Sequence, residues 1–196
     1  MRRPPATVNM SIRIVETGFA GLLLIEPQCF RDERGFVLES FHAARYRAYG
    51  IADEFVQDNH SRSCKSVLRG LHFQIKQPQA QIVTVIRGHI FDVAVDLRRS
   101  SSTFGHWYGA ELSDEGRRQI YMPPGFAHGF CVLSEFADLH YKVSQLYDPA
   151  DEGGIYWADS DIGVCWPIEA PIVSERDNSY PRLRELSPEQ LPGFAL

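Results

Sequence analysis

The segment Gln81-Ile82-Val83-Thr84-Val85-Ile86-Arg87-Gly88-His89-Ile90-Phe91-Asp92-Val93-Ala94-Val95-Asp96-Leu97 decides the fold class. It holds two runs rich in β-branched residues, 82–87 and 89–97, with only Gly88 between them. Runs of that length and composition around a turn residue read as strand, turn, strand.

The same pattern extends outward. Further strands are expected at 55–63, 66–74, 107–112, 119–122, 130–133 and 139–144, punctuated by Ser100 to Ser102, Gly105, Asp114 to Gly116 and Pro123-Pro124-Gly125. Upstream, strands at 12–15 and 22–26 flank a turn containing Gly18 and Gly21, and Pro27 ends the second. The stretch Phe30 to Phe36 reads as a charged turn before an alternating run at 37–41, and 43–49 as a short surface helix closed by Gly50. Many short strands without intervening helices predict an all-β protein, an antiparallel sandwich or barrel of the jelly-roll kind, with short flanking helices. The irregular region after Asp148 carries Tyr156, Trp157 and Trp166 as anchors and is expected to cover a barrel mouth or a neighbouring subunit; Ser187-Pro188-Glu189-Gln190 has the form of a capped helix start.

The 196 residues, 44% hydrophobic, are enough for one globular domain over 12–196 behind a flexible tail at 1–11. A net charge of -5 argues against nucleic acid or an anionic membrane surface as partner. Cys29, Cys64, Cys131 and Cys165 form no C-x-x-C pair, so reduced, buried thiols in a cytoplasmic protein are expected. Arg2 and Arg3 are followed by no apolar run of the kind a secretory signal needs.

Side-chain parity sorts the candidates for chemistry, because strand residues two apart share a face. It groups Gln57, Asn59 and Ser61, a polar face that suits either solvent or a wet barrel interior. In Leu68-Arg69-Gly70-Leu71-His72-Phe73-Gln74 it sets Arg69 and His72 on opposite faces. They converge only if Gly70 carries a bulge. His72 is followed by Phe73 and Gln74 rather than by a second histidine at i+2, so the H-x-H pair of metal-bearing barrels is missing and no metal is expected. A metal-free His72 suits general-base work beside a carboxylate, with Asp92, Asp96 and Asp177 as candidates that parity does not separate. His128 sits in a glycine-flanked segment read as a turn, and a buried tyrosine such as Tyr141 ordinarily just satisfies a hydrogen bond.

Five ordered blocks carry a resemblance: Arg69-Gly70-Leu71-His72-Phe73-Gln74, Phe91-Asp92-Val93-Ala94-Val95-Asp96-Leu97-Arg98, Pro124-Gly125-Phe126-Ala127-His128-Gly129-Phe130, Tyr141-Lys142 and Ser174-Glu175-Arg176-Asp177. Together, from about residue 18 to 183, the chain resembles the dTDP-4-dehydrorhamnose 3,5-epimerases. The resemblance implies a cupin jelly roll without cofactor, a homodimer, and epimerisation of a dTDP-4-keto-6-deoxyhexose at C3, C5 or both. It implies His72 as base, Asp177 as its partner and Tyr141 as the acid on the other sugar face. It places Arg69, Gln57, Asn59 and His128 on the sugar or diphosphate, and Arg34, Glu39 and Tyr147 near the nucleotide. Where the family usually carries a lysine, this chain has Gln81, in a segment about one residue short; a neutral amide stabilises an enolate less than a cation does. A ketoisomerase of another nucleotide sugar and a non-catalytic sugar-nucleotide-binding cupin are the alternatives.

Overall fold

Gly88 separates two strands as the sequence predicts, but those strands do not pair with each other. Strand β7 (Gln81–Arg87) belongs to one sheet and β8 (His89–Asp96) to another, and the chain changes sheet at Gly88, whose φ of +91° a side chain would oppose. A Cβ there would also lie 2.2 Å from the Phe136 carbonyl oxygen. This corner turns a pattern of consecutive strands into a two-layer fold.

The structure, a computed structural model, describes residues 11–193. The remaining strands are β1 (Ile12–Glu16), β2 (Leu23–Pro27), β3 (Cys29–Asp32), β4 (Gly35–Leu38), β5 (Gln57–Cys64), β6 (Leu68–Gln74), β9 (Trp107–Ser113), β10 (Gln119–Met122), β11 (Phe126–Val132), β12 (Phe136–Val143) and β13 (Glu152–Gly154). One sheet has the order β1-β2-β10-β7-β12-β5 and the other β13-β6-β11-β8-β9, with β3 and β4 forming a separate hairpin. Every pairing between these strands is antiparallel. The fold is the expected jelly roll, with short helices α1 (Ala43–Ala48) and α2 (Glu175–Ser179).

Three apolar clusters hold the layers. Between the sheets, Leu22, Leu24, Val83, Val85, Ile90, Leu112, Ile120, Met122, Phe126 and Leu139 fill one end of the sandwich. Tyr46 of α1 joins Ile12, Ile25, Ile82 and Tyr121 in a second cluster. The C-terminal region covers the five-stranded sheet, where Ile155 and Ile162 pack with Leu71, Phe73, Val93 and Val95, flanked by Trp166, Leu183 and Leu186. The tail therefore covers a sheet face with this apolar set, while β13 and α2 reach the site. Truncating a fully buried leucine such as Leu71 costs about 2–5 kcal/mol.

Several local expectations are corrected. The charged turn at 30–36 is the β3–β4 hairpin; its residues are mostly exposed, so no buried face marks the alternation. Strand β11 starts at Phe126, not 130, because Gly129 lies within a strand rather than a turn. Ser11, assigned to the tail, is tied to the fold: its carbonyl accepts from the Gln28 N–H at 2.9 Å and its hydroxyl donates to the Gln28 side chain at 2.8 Å. The rest of that tail lies outside the described residues. The segment after Ser187 makes a single 3₁₀ turn, with the Ser187 N–H donating to the Gln190 side chain at 3.0 Å. The cysteines are all free, but only Cys131 is fully buried while Cys64 and Cys165 are exposed.

Candidate active site

The bulge on which convergence of Arg69 and His72 depends is present. On β11, His128 pairs with His72 and Phe130 with Arg69, so two steps along β11 match three along β6. Gly70 absorbs the extra residue at φ +138°. A Cβ on Gly70 would lie 2.5 Å from Gly129 Cα, and one on Gly129 would lie 2.9 Å from the Arg69 carbonyl oxygen, so the two strands need both glycines. Leu71 turns into the outer cluster, while Arg69 and His72 turn into one cavity between the sheets.

This cavity measures about 370 Å³. The five-stranded sheet contributes Arg69, His72, Gln74, His128 and Glu152. The six-stranded sheet opposes them with Asn59, Ser61, Gln81 and Tyr141. The polar face of β5 is thus one wall of a wet interior, at the end of the sandwich that the apolar cluster leaves open. Gln79, Tyr147 and Arg176 add further polar groups to the lining.

Asp177 stands behind His72. Its Oδ1 lies 3.0 Å from His72 Nε2, and its Oδ2 accepts the Gly70 N–H at 3.1 Å. Ser174 caps α2 by accepting the Asp177 N–H at 3.1 Å, which fixes the carboxylate. Burial opposes the Asp177 charge, but the His72 hydrogen bond and charge, the Gly70 N–H and Ser174 hold its carboxyl down at about 2. The other two candidate acids are engaged elsewhere. Asp92 meets His128 Nε2 at 2.8 Å, and Asp96 takes Arg98, Ser101 and Thr103.

The two walls differ in proton chemistry. His72 on one wall has its Nε2 occupied by a carboxylate, which leaves Nδ1 as the nitrogen free to accept a proton. On the opposite wall, burial pushes the Tyr141 phenol above its ordinary value against the pull of Arg69, and Glu152 adds to the rise. A phenol shifted that way keeps its proton at neutral pH. The cavity therefore sets an imidazole backed by a carboxylate against a proton donor across the space where a ligand fits.

Comparison with known proteins agrees with this geometry. The dTDP-4-dehydrorhamnose 3,5-epimerase family matches residues 16–185. The chain belongs to the dTDP-4-dehydrorhamnose 3,5-epimerase family. Among its relatives, the dTDP-4-dehydrorhamnose 3,5-epimerase of Methanothermobacter thermautotrophicus is 49% identical over 176 residues, covering 88% of this chain and 95% of the relative. The dTDP-4-dehydrorhamnose 3-epimerase of Streptomyces niveus is 40% identical over 176 residues, 89% of this chain and 85% of the relative. The dTDP-6-deoxy-D-glucose-3,5-epimerase of Legionella pneumophila, solved with dTDP-4-keto-L-rhamnose, superposes with a TM-score of 0.91 at 46% identity over 95% of this chain and 100% of that one.

In this epimerase-family chain the remaining expected site residues fall in two groups. Gln57 stands one step behind the lining, donating to Asn59 at 2.8 Å and accepting the Tyr147 N–H at 3.0 Å. Arg34 and Glu39 are not brought to the cavity. Arg34 is at the tip of the exposed hairpin, paired with Asp32, and Glu39 is paired with Arg45. Sequence reasoning missed Gln74, Gln79, Glu152 and Arg176 as lining residues. Gln74 was visible in the parity of β6, sharing a face with His72, whereas Glu152 and Arg176 lie in the irregular tail and carried no periodic signal.

Proposed function

We propose that the protein epimerises a dTDP-4-keto-6-deoxyhexose next to its C4 ketone. The observation that carries this reading is the His72–Asp177 dyad and the protonated Tyr141 on opposite walls of one cavity. His72 Nδ1 removes the proton from C3 or C5, the electron pair moves into the C4 enolate, and Tyr141 returns a proton from the other face. Asp177 holds the imidazole tautomer and stabilises the imidazolium. Arg69, whose Nε donates to Ser63 at 3.0 Å, leaves the rest of its guanidinium for a diphosphate or sugar oxygen, with His128 and Asn59 beside it. Incubation with dTDP-4-keto-6-deoxyglucose in deuterated water, followed by proton NMR, is expected to show deuterium entering C3, and C5 if both centres react. Absence of deuterium at both carbons overturns the reading. Entry at C3 alone selects the 3-epimerase activity named for the Streptomyces niveus relative.

The cytoplasm is the proposed location. A homodimer is the proposed assembly. Its support is the hairpin, where Phe36 and Val37 are each more than half exposed. Since Arg34 and Glu39 lie away from the cavity of their own chain, a nucleotide role for them requires the cavity of a second copy. Sedimentation equilibrium is expected to give a dimer that F36S/V37S shifts to monomer.

A further inference from the structure

Emptying the base is a separate problem from filling it. On the proposed reaction, each abstraction leaves His72 Nδ1 protonated, and the protein has to clear that nitrogen before a second carbon can react. Asp177 is unsuited to carry the proton away. It is buried, and its oxygens are held by His72 and the Gly70 N–H.

Among the described residues that line the cavity, Glu152 is the only carboxylate. Strand β13 pairs with β6 so that Glu152 lies opposite Gln74 and Gly154 opposite His72, which sets the carboxylate beside the imidazole. Glu152 Oε1 is 4.0 Å from His72 Nδ1, the nitrogen that Asp177 does not occupy. Its Oε2 accepts from the Tyr147 hydroxyl at 2.9 Å and from Arg176. These two anchors fix one oxygen and leave the other facing the base. Tyr147 is 46% exposed, so the far end of the arrangement meets solvent. A 4.0 Å gap closes with a small side-chain rotation once Nδ1 carries a proton to donate.

We propose that Glu152 is a positioning and relay residue that accepts the proton from His72 Nδ1 and passes it to water beside Tyr147. The substrate C–H bond breaks, its electron pair enters the enolate, and the proton moves from Nδ1 to Glu152 Oε1 and then to water. His72 is returned to its neutral form, Asp177 stays ionised throughout, and the Tyr141 phenolate left by protonation of the enolate takes a proton back from water. The inference rests on the epimerase reading above.

The test measures two pools in deuterated water over the first few per cent of conversion: deuterium in recovered, uninverted substrate and formation of inverted product. Product deuterium arrives from Tyr141, whereas deuterium in recovered substrate requires the proton on His72 to be exchanged before it returns to the same carbon. With E152Q, the ratio of substrate wash-in to product formation is expected to fall by about tenfold or more, below the full contribution of a positioned acid–base group. E152D, which retracts the carboxylate by one methylene, is expected to lie between E152Q and the unaltered protein. A purely structural role would lower both pools together and leave the ratio unchanged. An unaltered ratio, in both variants or in whichever folds by thermal unfolding, overturns the relay while leaving the epimerase reading intact. No deuterium in either pool with the unaltered protein overturns both.

Discussion

His72 Nε2 and Asp177 Oδ1 lie 3.0 Å apart although 105 residues separate them in sequence. The contact joins β6, inside the sandwich, to a single turn of helix in the irregular tail, so the reactive geometry depends on the tail being docked. Because Asp177 also binds the Gly70 N–H, the glycine that brings Arg69 and His72 together is part of the same assembly.

That contact predicts a pH dependence of stability. The Asp177 carboxyl is depressed from the ordinary 3.8 to about 2 in the folded protein. A depressed carboxyl contributes stability that is fully present above the unfolded value and is lost as pH falls through the folded one. The window is therefore pH 4 down to pH 2. D177N is expected to be less stable at neutral pH by about 2 kcal/mol and to lose less than the unaltered protein across that window. Urea unfolding at pH 7, 4 and 2.5 measures both effects.

Tyr141 and His72 stand on opposite sheets, so on the proposed mechanism removing the phenol leaves abstraction by His72 possible. Y141F is expected to reduce formation of inverted product by about 10²–10⁴-fold while deuterium still enters recovered substrate. H72N is expected to abolish both. Mass spectrometry of substrate and product separates the two variants, and loss of exchange in Y141F would remove the phenol from a role confined to reprotonation.

The sequence made the layers legible because their signal is local. Strands such as β7 and β10 were readable from apolar runs and turn residues, and the polar alternation of Gln57, Asn59 and Ser61 was legible as a face for either solvent or a wet interior. Gly70 was legible as the place where a bulge would bring Arg69 and His72 together, since side chains three residues apart on a regular strand face opposite ways. What stayed hidden was either exposed or long-range. The β3–β4 hairpin has no buried face to reveal it. Parity also held no information on which of Asp92, Asp96 and Asp177 meets His72, because the pairing is set by a tail without periodicity. Glu152 became visible only when β13 was seen to add to the edge of β6.

Gly70 predicts a large cost for a small substitution. An alanine there must hold a φ of +138° and place its Cβ 2.5 Å from Gly129 Cα, with backbone on both sides of the clash. G70A is expected to lose at least about 3 kcal/mol, combining backbone strain with displacement of a paired strand. In a chain of this size that corresponds to a fall in melting temperature of roughly 6–12 °C. Differential scanning calorimetry checks it, and a wild-type melting temperature would mean that β6 accommodates the residue without the bulge.

Gln81 predicts a gain of function. It lies on β7 in the wall opposite His72, at the position where the family resemblance implies a lysine. The cations already facing the cavity are partly committed, Arg176 to Glu152 and Arg69 through its Nε to Ser63. On the proposed reaction, negative charge developing on the C4 oxygen would meet a neutral amide, not a cation, at Gln81. Placing a fixed positive charge there stabilises the enolate more than the ground-state ketone, so the effect belongs in kcat rather than KM. Q81K is expected to raise kcat by about tenfold, below the 10²–10³ that a fully preorganised oxyanion donor contributes. Initial rates of deuterium incorporation at saturating substrate measure it. A lower kcat in Q81K would show that the amide, with the one-residue shorter segment before it, is matched to the enolate this chain forms.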